Sequence, residues 1–171
     1  AVLSAFNGDL SNADGYRRWQ EQITSFSELH KFKPDAICVD AHPDYHSSNY
    51  GRRLAQSQGI PVIETQHHHA HMAACMAENN ISESESVLAL CLDGLGFGLD
   101  PTVQHQLWGC ELLLGNYQSF NRIGGLQPFP LPGGDKANQE PYRNTISLLH
   151  KAGCLERAKG SHLSCDWTSA I

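Results

Sequence analysis

Hydrophobic and polar positions in the first half of the chain alternate between helical and strand-like patterns. Residues 16–32 carry apolar side chains at helical spacing, and the short apolar run at residues 36–39 predicts a buried strand that ends at Asp40. The same unit then repeats, with a helix that Gly59 closes and a strand at residues 61–64. Because helices alternate with strands, we expect a parallel sheet that binds ligands beyond the carboxyl ends of its strands.

A short polar and acidic segment at residues 81–86 separates this region from one with a different pattern, and we interpret it as a hinge between two lobes. Apolar runs without helices between them predict an antiparallel meander, with turns at residues 94–98 and 115–116. The predicted strands cover residues 87–92, 107–114 and 120–126. A loop rich in proline and glycine then leads into a predicted amphipathic helix at residues 137–151.

The composition is that of a globular protein, since 40% of the 171 residues are hydrophobic and 18% are charged. No apolar run approaches the roughly 20 residues of a membrane span, so we expect no membrane association. The formal net charge of −6 argues against a nucleic-acid partner, which would need a basic face. The first residues carry no basic-then-apolar pattern, so we expect no signal peptide, and they resemble a cut into a longer chain.

The six cysteines include no CxxC pair. Cys38, Cys75 and Cys91 each lie in an apolar stretch, which predicts buried, reduced thiols rather than the disulfide framework of a small secreted protein. We therefore expect a cytoplasmic protein.

The segment Gln-His-His-His-Ala-His at residues 66–71 is the most distinctive chemical feature. It follows a strand and opens a helix predicted to run to Glu78, so that His67 and His71 share one face with Cβ atoms about 6 Å apart. That spacing lets two imidazoles bind one divalent ion, whose other ligands must come from elsewhere. The alternative is a solvated, histidine-rich helix start. The isolated histidines are more typical of surface or packing positions, and they are His30, His46, His105, His150 and His162.

Two glycine-rich segments offer backbone N–H groups to a phosphate. In residues 90–98, Asp93 stands at the predicted end of a strand and is followed by Gly94 and Gly96. A simple hairpin is the alternative, and the absence of GxGxxG excludes a dinucleotide-binding fold. For residues 131–135, and for the loop His-Pro-Asp-Tyr that begins at His42, the residue pattern alone favours structural turns.

These segments occur together in one known family. The motifs AICVDAHPDYHSS, VIETQHHHAHMAACMAE, LALCLDGLGFG, LWGCELLL and LQPFPLPGGDKANQEPYRN, in this order, resemble those of the hydrogenase-maturation carbamoyltransferases of the HypF type. The resemblance covers most of the chain, from near Ala5 to near His150. More distantly, the chain is similar to the tRNA threonylcarbamoyl-transferring enzymes, which contain the Kae1/TsaD-like domain and carry an HxxxH helix in the same fold.

The resemblance implies an α/β fold of the actin/sugar-kinase type (ASKHA), in which two ribonuclease-H-like lobes enclose nucleotide and metal. Residues 1–81 would form the C-terminal part of the first lobe. Residues 86–171 would begin the second lobe, with its β-meander and a helix. The chain would then be a fragment of a longer protein.

The implied reaction transfers a carbamoyl group from carbamoyl-adenylate, made from carbamoyl phosphate and ATP, to the C-terminal cysteine of a partner hydrogenase-maturation protein for cyanide-ligand synthesis. The implied cofactor is a divalent metal, iron or zinc, held by His67, His71 and Asp93. His68 would be the catalytic residue, either as a proton acceptor or by orienting the carbamoyl group. The implied nucleotide-binding residues are Gly94, Gly96, Gly133, Gly134 and Asp135.

Alternatives to this function remain open at the level of sequence. An enzyme of the same fold that carbamoylates the hydroxyl of a small molecule is one, and a non-catalytic metal-binding module is another. The sequence also departs from the family pattern: the stretch from Asp93 to Trp108 is about four residues longer than usual, and Cys110 and Tyr142 replace the usual glycine and tryptophan.

Overall fold

The computed structural model describes residues 3–98, 107–134 and 136–155. It divides into two compact units, residues 1–124 and residues 125–171. The elements of the first unit are α1 (Ala13–Leu29), β1 (Ile37–Asp40), α2 (His46–Gln58), β2 (Val62–Thr65), α3 (His67–Glu78), β3 (Val87–Phe97), β4 (Leu107–Gly115) and β5 (Phe120–Gly125). The second unit contains α4 (Lys136–Gln139) and α5 (Tyr142–Lys151).

The predicted parallel pairing is confirmed for β1 and β2, which run side by side from Ile37 opposite Val62 to Asp40 opposite Thr65. Helix α2 connects them and lies close to β1 because Gly51 has no side chain. A Cβ atom at this position would lie 2.5 Å from Cγ1 of Val39. The helix ends at Gly59, whose φ of 66° is in the left-handed region that closes many helices.

The burial predicted for the cysteines is wrong at two positions. Cys91 is buried, whereas Cys38 and Cys75 are exposed. Only Val39 of β1 is buried, because α2 packs on one face of the strand pair and Cys38 points to the other. Cys75 lies on α3 beside Met76, and helical geometry turns these neighbours to different faces, of which only that of Met76 is buried.

The antiparallel meander is confirmed as a sheet in the order β3-β4-β5. The turn predicted at residues 94–98 is wrong, because β3 continues to Phe97. Its register with β4 shifts between Leu92 and Gly96, and pairing then resumes with Gly96 opposite Trp108. An irregularity of this kind lets a strand accommodate extra residues without ending.

The core of the first unit lies between α3 and the meander. Met72 and Met76 of α3 are buried in a cluster with Cys91, Trp108 and Leu113. The other face of β3 is apolar but exposed, and it is formed by Leu88, Leu90 and Leu92.

Two predicted helices differ from those observed, and the first of them, predicted at residues 16–32, ends already at Leu29. Helix α1 begins at Ala13, three residues earlier than the pattern indicated, because the Asn12 side chain accepts hydrogen bonds from the N–H groups of Asp14 and Gly15. The single helix predicted at residues 137–151 is two helices, α4 and α5. Pro141 interrupts it, since proline has no N–H and disfavours helical geometry at the residue before it. No helix in the described ranges is long and apolar enough to cross a membrane.

Replacing Gly51 tests the close approach of α2 to β1. Gly51→Ala should lower the free energy of unfolding by about 1–3 kcal/mol, as expected for overpacking, although alanine normally stabilises a helix relative to glycine. The matched control is Gln56→Ala at an exposed position of the same helix, which should change stability by less than about 0.5 kcal/mol. Denaturant unfolding measures both, and a stabilised Gly51→Ala variant would contradict the packing.

Candidate metal centre

The N-terminus of α3 is held against β3 by the buried side chain of Gln66. Its Oε1 accepts a hydrogen bond from the backbone N–H of His69 at 2.9 Å and so caps the helix. Its Nε2 donates to the carbonyl oxygen of Phe97 at 3.0 Å. One side chain therefore fixes the start of the histidine helix relative to the strand that carries Asp93.

Three side chains from α3 and β3 converge near this helix start. Nε2 of His67 lies 3.2 Å from Nε2 of His71 and 3.0 Å from Oδ2 of Asp93. Nε2 of His71 lies 3.9 Å from the same carboxylate oxygen. One ligand atom from each residue thus lies within 4.8 Å of the other two. We refer to His67, His71 and Asp93 as the donor cluster.

The donor cluster fits a divalent cation. Oδ2 of Asp93 is buried and forms no hydrogen bond of normal geometry with the described residues, although Nε2 of His67 lies 3.0 Å away. Metal–nitrogen and metal–oxygen bonds of about 2.0–2.2 Å at a tetrahedral centre separate neighbouring ligand atoms by roughly 3.4 Å, close to the observed spacings. Imidazole and carboxylate ligands suit zinc and iron alike.

A further carboxylate lies next to the donor cluster, in contact with His67. It belongs to Asp40, at the carboxyl end of β1. Oδ2 of Asp40 lies 2.6 Å from Nδ1 of His67. Oδ1 of Asp40 accepts the backbone N–H of His42 at 2.7 Å. Sequence reasoning placed Asp40 only as the end of a strand, although a carboxylate at that end of a parallel strand is where ligand sites form.

The loop after β1 brings aromatic rings to the same region. The rings of His42 and Tyr45 stack with centroids 4.1 Å apart, and Phe97 lies 5.1 Å from His42. The N–H of Asp44 donates to Nδ1 of His42, which agrees with the predicted turn. Burial raises the pKa of the Tyr45 hydroxyl, with smaller contributions from the charges of Asp40 and Asp93.

Comparison with known proteins assigns these features to a family. A model of the HypF Kae1-like domain matches residues 1–78. A model of the second subdomain of the carbamoyltransferase Kae1-like domain matches residues 89–168. The chain belongs to the HypF carbamoyltransferase family. The resemblance read from the motifs is thereby confirmed.

Relatives from several organisms share the chain's sequence over most of its length. The carbamoyltransferase HypF of Rhodobacter capsulatus is 42% identical over 159 residues, which are 92% of this chain and 21% of the relative. That of Synechocystis sp. is 42% identical over 149 residues, which are 87% of this chain and 18% of the relative. The chain therefore spans about a fifth of the length of these relatives.

Solved structures agree with the α/β fold. Full-length HypF in its phosphate- and nucleotide-bound form matches with a TM-score of 0.73 at 36% identity, over 86% of this chain and 18% of that one. HypF of T. kodakarensis matches with a TM-score of 0.72 at 32% identity, over 87% of this chain and 19% of that one.

His68, which the HypF resemblance offered as a catalytic residue, is fully buried. Its ring packs on Gly96, where an added Cβ would lie 2.0 Å from Cε1 of the imidazole. Trp108 lies on another side, with ring centroids 5.9 Å apart. Burial lowers the pKa of His68, and the charge of Asp93 opposes that effect. The position is that of a packing residue between α3 and β3.

The glycines predicted to bind nucleotide have different surroundings. Gly94 is exposed, and its N–H donates to Oδ1 of Asp93 at 2.6 Å. Gly96 is buried beneath His68. In the second unit, Gly133 and Gly134 are exposed and have φ values of 83° and 59°, which alanine would disfavour. Asp135 lies outside the described residues, as do residues 99–106 of the lengthened stretch between Asp93 and Trp108, His162 and Cys165.

An ion pair in the meander between buried Glu111 and exposed Arg122 was missed by sequence reasoning. Oε2 of Glu111 lies 2.6 Å from Nε of Arg122, and the carboxylate side chain is only 4% exposed. The Arg122 guanidinium also lies over the Trp108 ring, 5.3 Å from its centroid. The pair fixes Trp108, which in turn packs on His68. A glutamate in an apolar strand was the one sequence signal of this arrangement.

The contact between His68 and Gly96 predicts a coupled pair of substitutions. Gly96→Ala should destabilise the chain by about 1–3 kcal/mol, because the new methyl group would overlap the imidazole. In the double variant with His68→Ala, the penalty of the glycine change should fall by at least about 0.5 kcal/mol. Gly124→Ala serves as the control, since its Cβ would meet only ordinary contacts at 3.5 Å. Additive changes in a denaturation cycle would disprove the contact.

Proposed function

We propose that this chain supplies the metal-binding part of a carbamoyltransferase that acts in hydrogenase maturation. The donor cluster is the observation that carries the proposal, because its three ligand atoms converge and the buried Asp93 oxygen among them forms no hydrogen bond of normal geometry with the described residues. The names of the relatives, which are carbamoyltransferases, support the type of reaction. The ASKHA fold, with residues 1–81 closing one lobe and residues 86–171 opening the next, belongs to the same proposal.

The proposed reaction joins the carbamoyl group to a thiol. The C-terminal cysteine sulfur of a partner maturation protein attacks the carbamoyl carbon of carbamoyl-adenylate. The bond from that carbon to the phosphate oxygen breaks, AMP leaves, and the thiol proton passes to a base. Carbamoyl phosphate and ATP are the source of the adenylate.

In this proposal, His67, His71 and Asp93 hold a divalent cation. Iron or zinc would act as a Lewis acid on the phosphate oxygens and so stabilise the leaving AMP. Gly94 fixes the orientation of the Asp93 carboxylate through its N–H, and its lack of a side chain leaves room for an anion beside that carboxylate. Gly96, Gly133, Gly134 and Asp135 are proposed to contribute to nucleotide binding.

One observation supports the proton-acceptor role proposed for His68, and another argues against it. Its Nε2 forms no hydrogen bond of normal geometry with the described residues, although a bond to the Gly109 backbone is among the effects that raise the pKa of the ring. Its complete burial weighs against direct access by the partner's thiol. The packing of His68 between α3 and Gly96 is sufficient to account for its position.

Removing one ligand should abolish tight metal binding. After dialysis against Zn²⁺ or Fe²⁺, most of the bound metal should be lost in each of three variants, His67→Ala, His71→Ala and Asp93→Ala. Two remaining ligands rarely complete a site. The control is His150→Ala, an exposed histidine on α5 outside the donor cluster. Metal analysis by mass spectrometry measures the content. Equal metal in all four variants would exclude the donor cluster as the site.

The reaction can be tested in a full-length relative. This chain would replace the matching segment of the Rhodobacter capsulatus protein, and the chimera would receive carbamoyl phosphate, ATP and a peptide that ends in cysteine. We expect a carbamoylated thiol in the mass spectrum and its loss in the His71→Ala chimera, with His150→Ala retaining activity. Carbamoylation of an added small-molecule hydroxyl in place of the thiol would favour the O-carbamoyltransferase alternative. Metal binding without either product would favour a non-catalytic module.

A further inference from the structure

Asp40 occupies a rigid position next to the donor cluster without belonging to it. Its backbone is paired with Thr65 in the parallel strands, and the next residue, Ala41, donates its N–H to the Thr65 carbonyl at 2.9 Å. The carboxylate is only 20% exposed. Strand pairing and burial together hold the carboxylate in one place.

The two carboxylate oxygens of Asp40 have separate partners. Oδ1 accepts the backbone N–H of His42, which fixes the rotation of the carboxylate. Oδ2 faces Nδ1 of His67 at 2.6 Å, the distance of a strong charge-assisted hydrogen bond. Since the carboxylate only accepts, Nδ1 of His67 must carry the proton in this contact.

The state of Nδ1 determines what Nε2 of His67 can do. A neutral imidazole with a proton on Nδ1 has a free lone pair on Nε2. In this structure Nε2 is the atom that faces His71 and Asp93, at 3.2 Å and 3.0 Å. The Asp40 contact therefore selects the tautomer and the ring orientation that a cation in the donor cluster requires.

We propose that Asp40 is a positioning residue that holds His67 with its proton on Nδ1 and its Nε2 lone pair directed into the donor cluster. This inference rests on the proposed metal site. Asp40 acts through His67 and is not itself a ligand, because Oδ2 is engaged by His67 and no Asp40 atom belongs to the donor cluster. Carboxylates that orient metal-binding histidines in this way raise metal affinity about 10- to 100-fold.

The first test measures affinity for Zn²⁺ alone in the purified chain. Asp40→Asn keeps the shape of the side chain but loses its charge, and it should weaken Zn²⁺ binding about 10- to 100-fold in a competition titration. Asp44→Asn is the matched control, because this exposed aspartate lies in the same loop, whereas the polar contacts of the His67 ring are with Asp40, His71 and Asp93. Unchanged affinity in Asp40→Asn would overturn the inference, as would an equal loss in Asp44→Asn.

A second measurement uses the metal-free chain, and its decisive result comes from the unaltered protein. In the metal-free chain, ¹⁵N NMR of the histidine side chains should show the neutral His67 ring protonated at Nδ1, whereas free histidine prefers Nε2. In Asp40→Asn this signal should shift towards the Nε2-protonated form. A His67 ring protonated at Nε2 in the unaltered chain would overturn the inference even if Asp40→Asn did not fold.

The two experiments separate this inference from the proposed function. If the unaltered chain binds Zn²⁺ no better than His67→Ala, the metal site itself is wrong. The NMR result then still decides whether Asp40 fixes the His67 tautomer. If the chain binds Zn²⁺ and the Nδ1 proton is present, equal Zn²⁺ affinity of Asp40→Asn and the unaltered chain would disprove the positioning role of Asp40. The proposed metal site would not be affected.

Discussion

The contact of the His68 ring with the backbone of Gly96 sets the distance between helix α3 and strand β3, and the candidate site depends on that distance. The ring is fully buried, and no side chain larger than hydrogen fits at residue 96. Gln66 fixes the same helix start through its bond to Phe97. With α3 fixed in this way, the exposed side of its first two turns carries His67 and His71 to the carboxylate of Asp93.

The donor cluster and the neighbouring carboxylate of Asp40 join parts of the chain that the sequence separates. Asp40 ends the first strand of the parallel pair, the histidines begin the helix after the second strand, and Asp93 lies in the irregular part of the meander. Each group comes from the end or the interruption of a regular element, where the backbone is free to direct a side chain inward. The site is thus formed by residues at the ends and irregular positions of helices and strands, while the regular parts of the same elements form the core.

Membership in the HypF family gives this geometry a chemical context. In the proposed reaction, a cation held by imidazole and carboxylate ligands, close to exposed glycine backbone, would be suited to stabilising charge on a leaving phosphate. The ion pair of Glu111 and Arg122 supports the site indirectly, because Arg122 lies over Trp108 and Trp108 packs on His68. Support of this kind keeps the histidine helix in position without contacting the ligands themselves.

The sequence by itself determined the order of elements, the parallel pairing, the meander, the limits of α3 and the family. These features follow from local periodicity and from motifs of adjacent residues, which need no knowledge of distant contacts. Tertiary structure alone decided that β3 continues past Asp93, that Cys38 and Cys75 are exposed, and that His68 is buried. It also decided that Asp40 reaches Nδ1 of His67, 27 residues away along the chain. Burial and hydrogen-bond partners depend on which surfaces meet when elements pack, and periodicity identifies an apolar face without identifying what covers it.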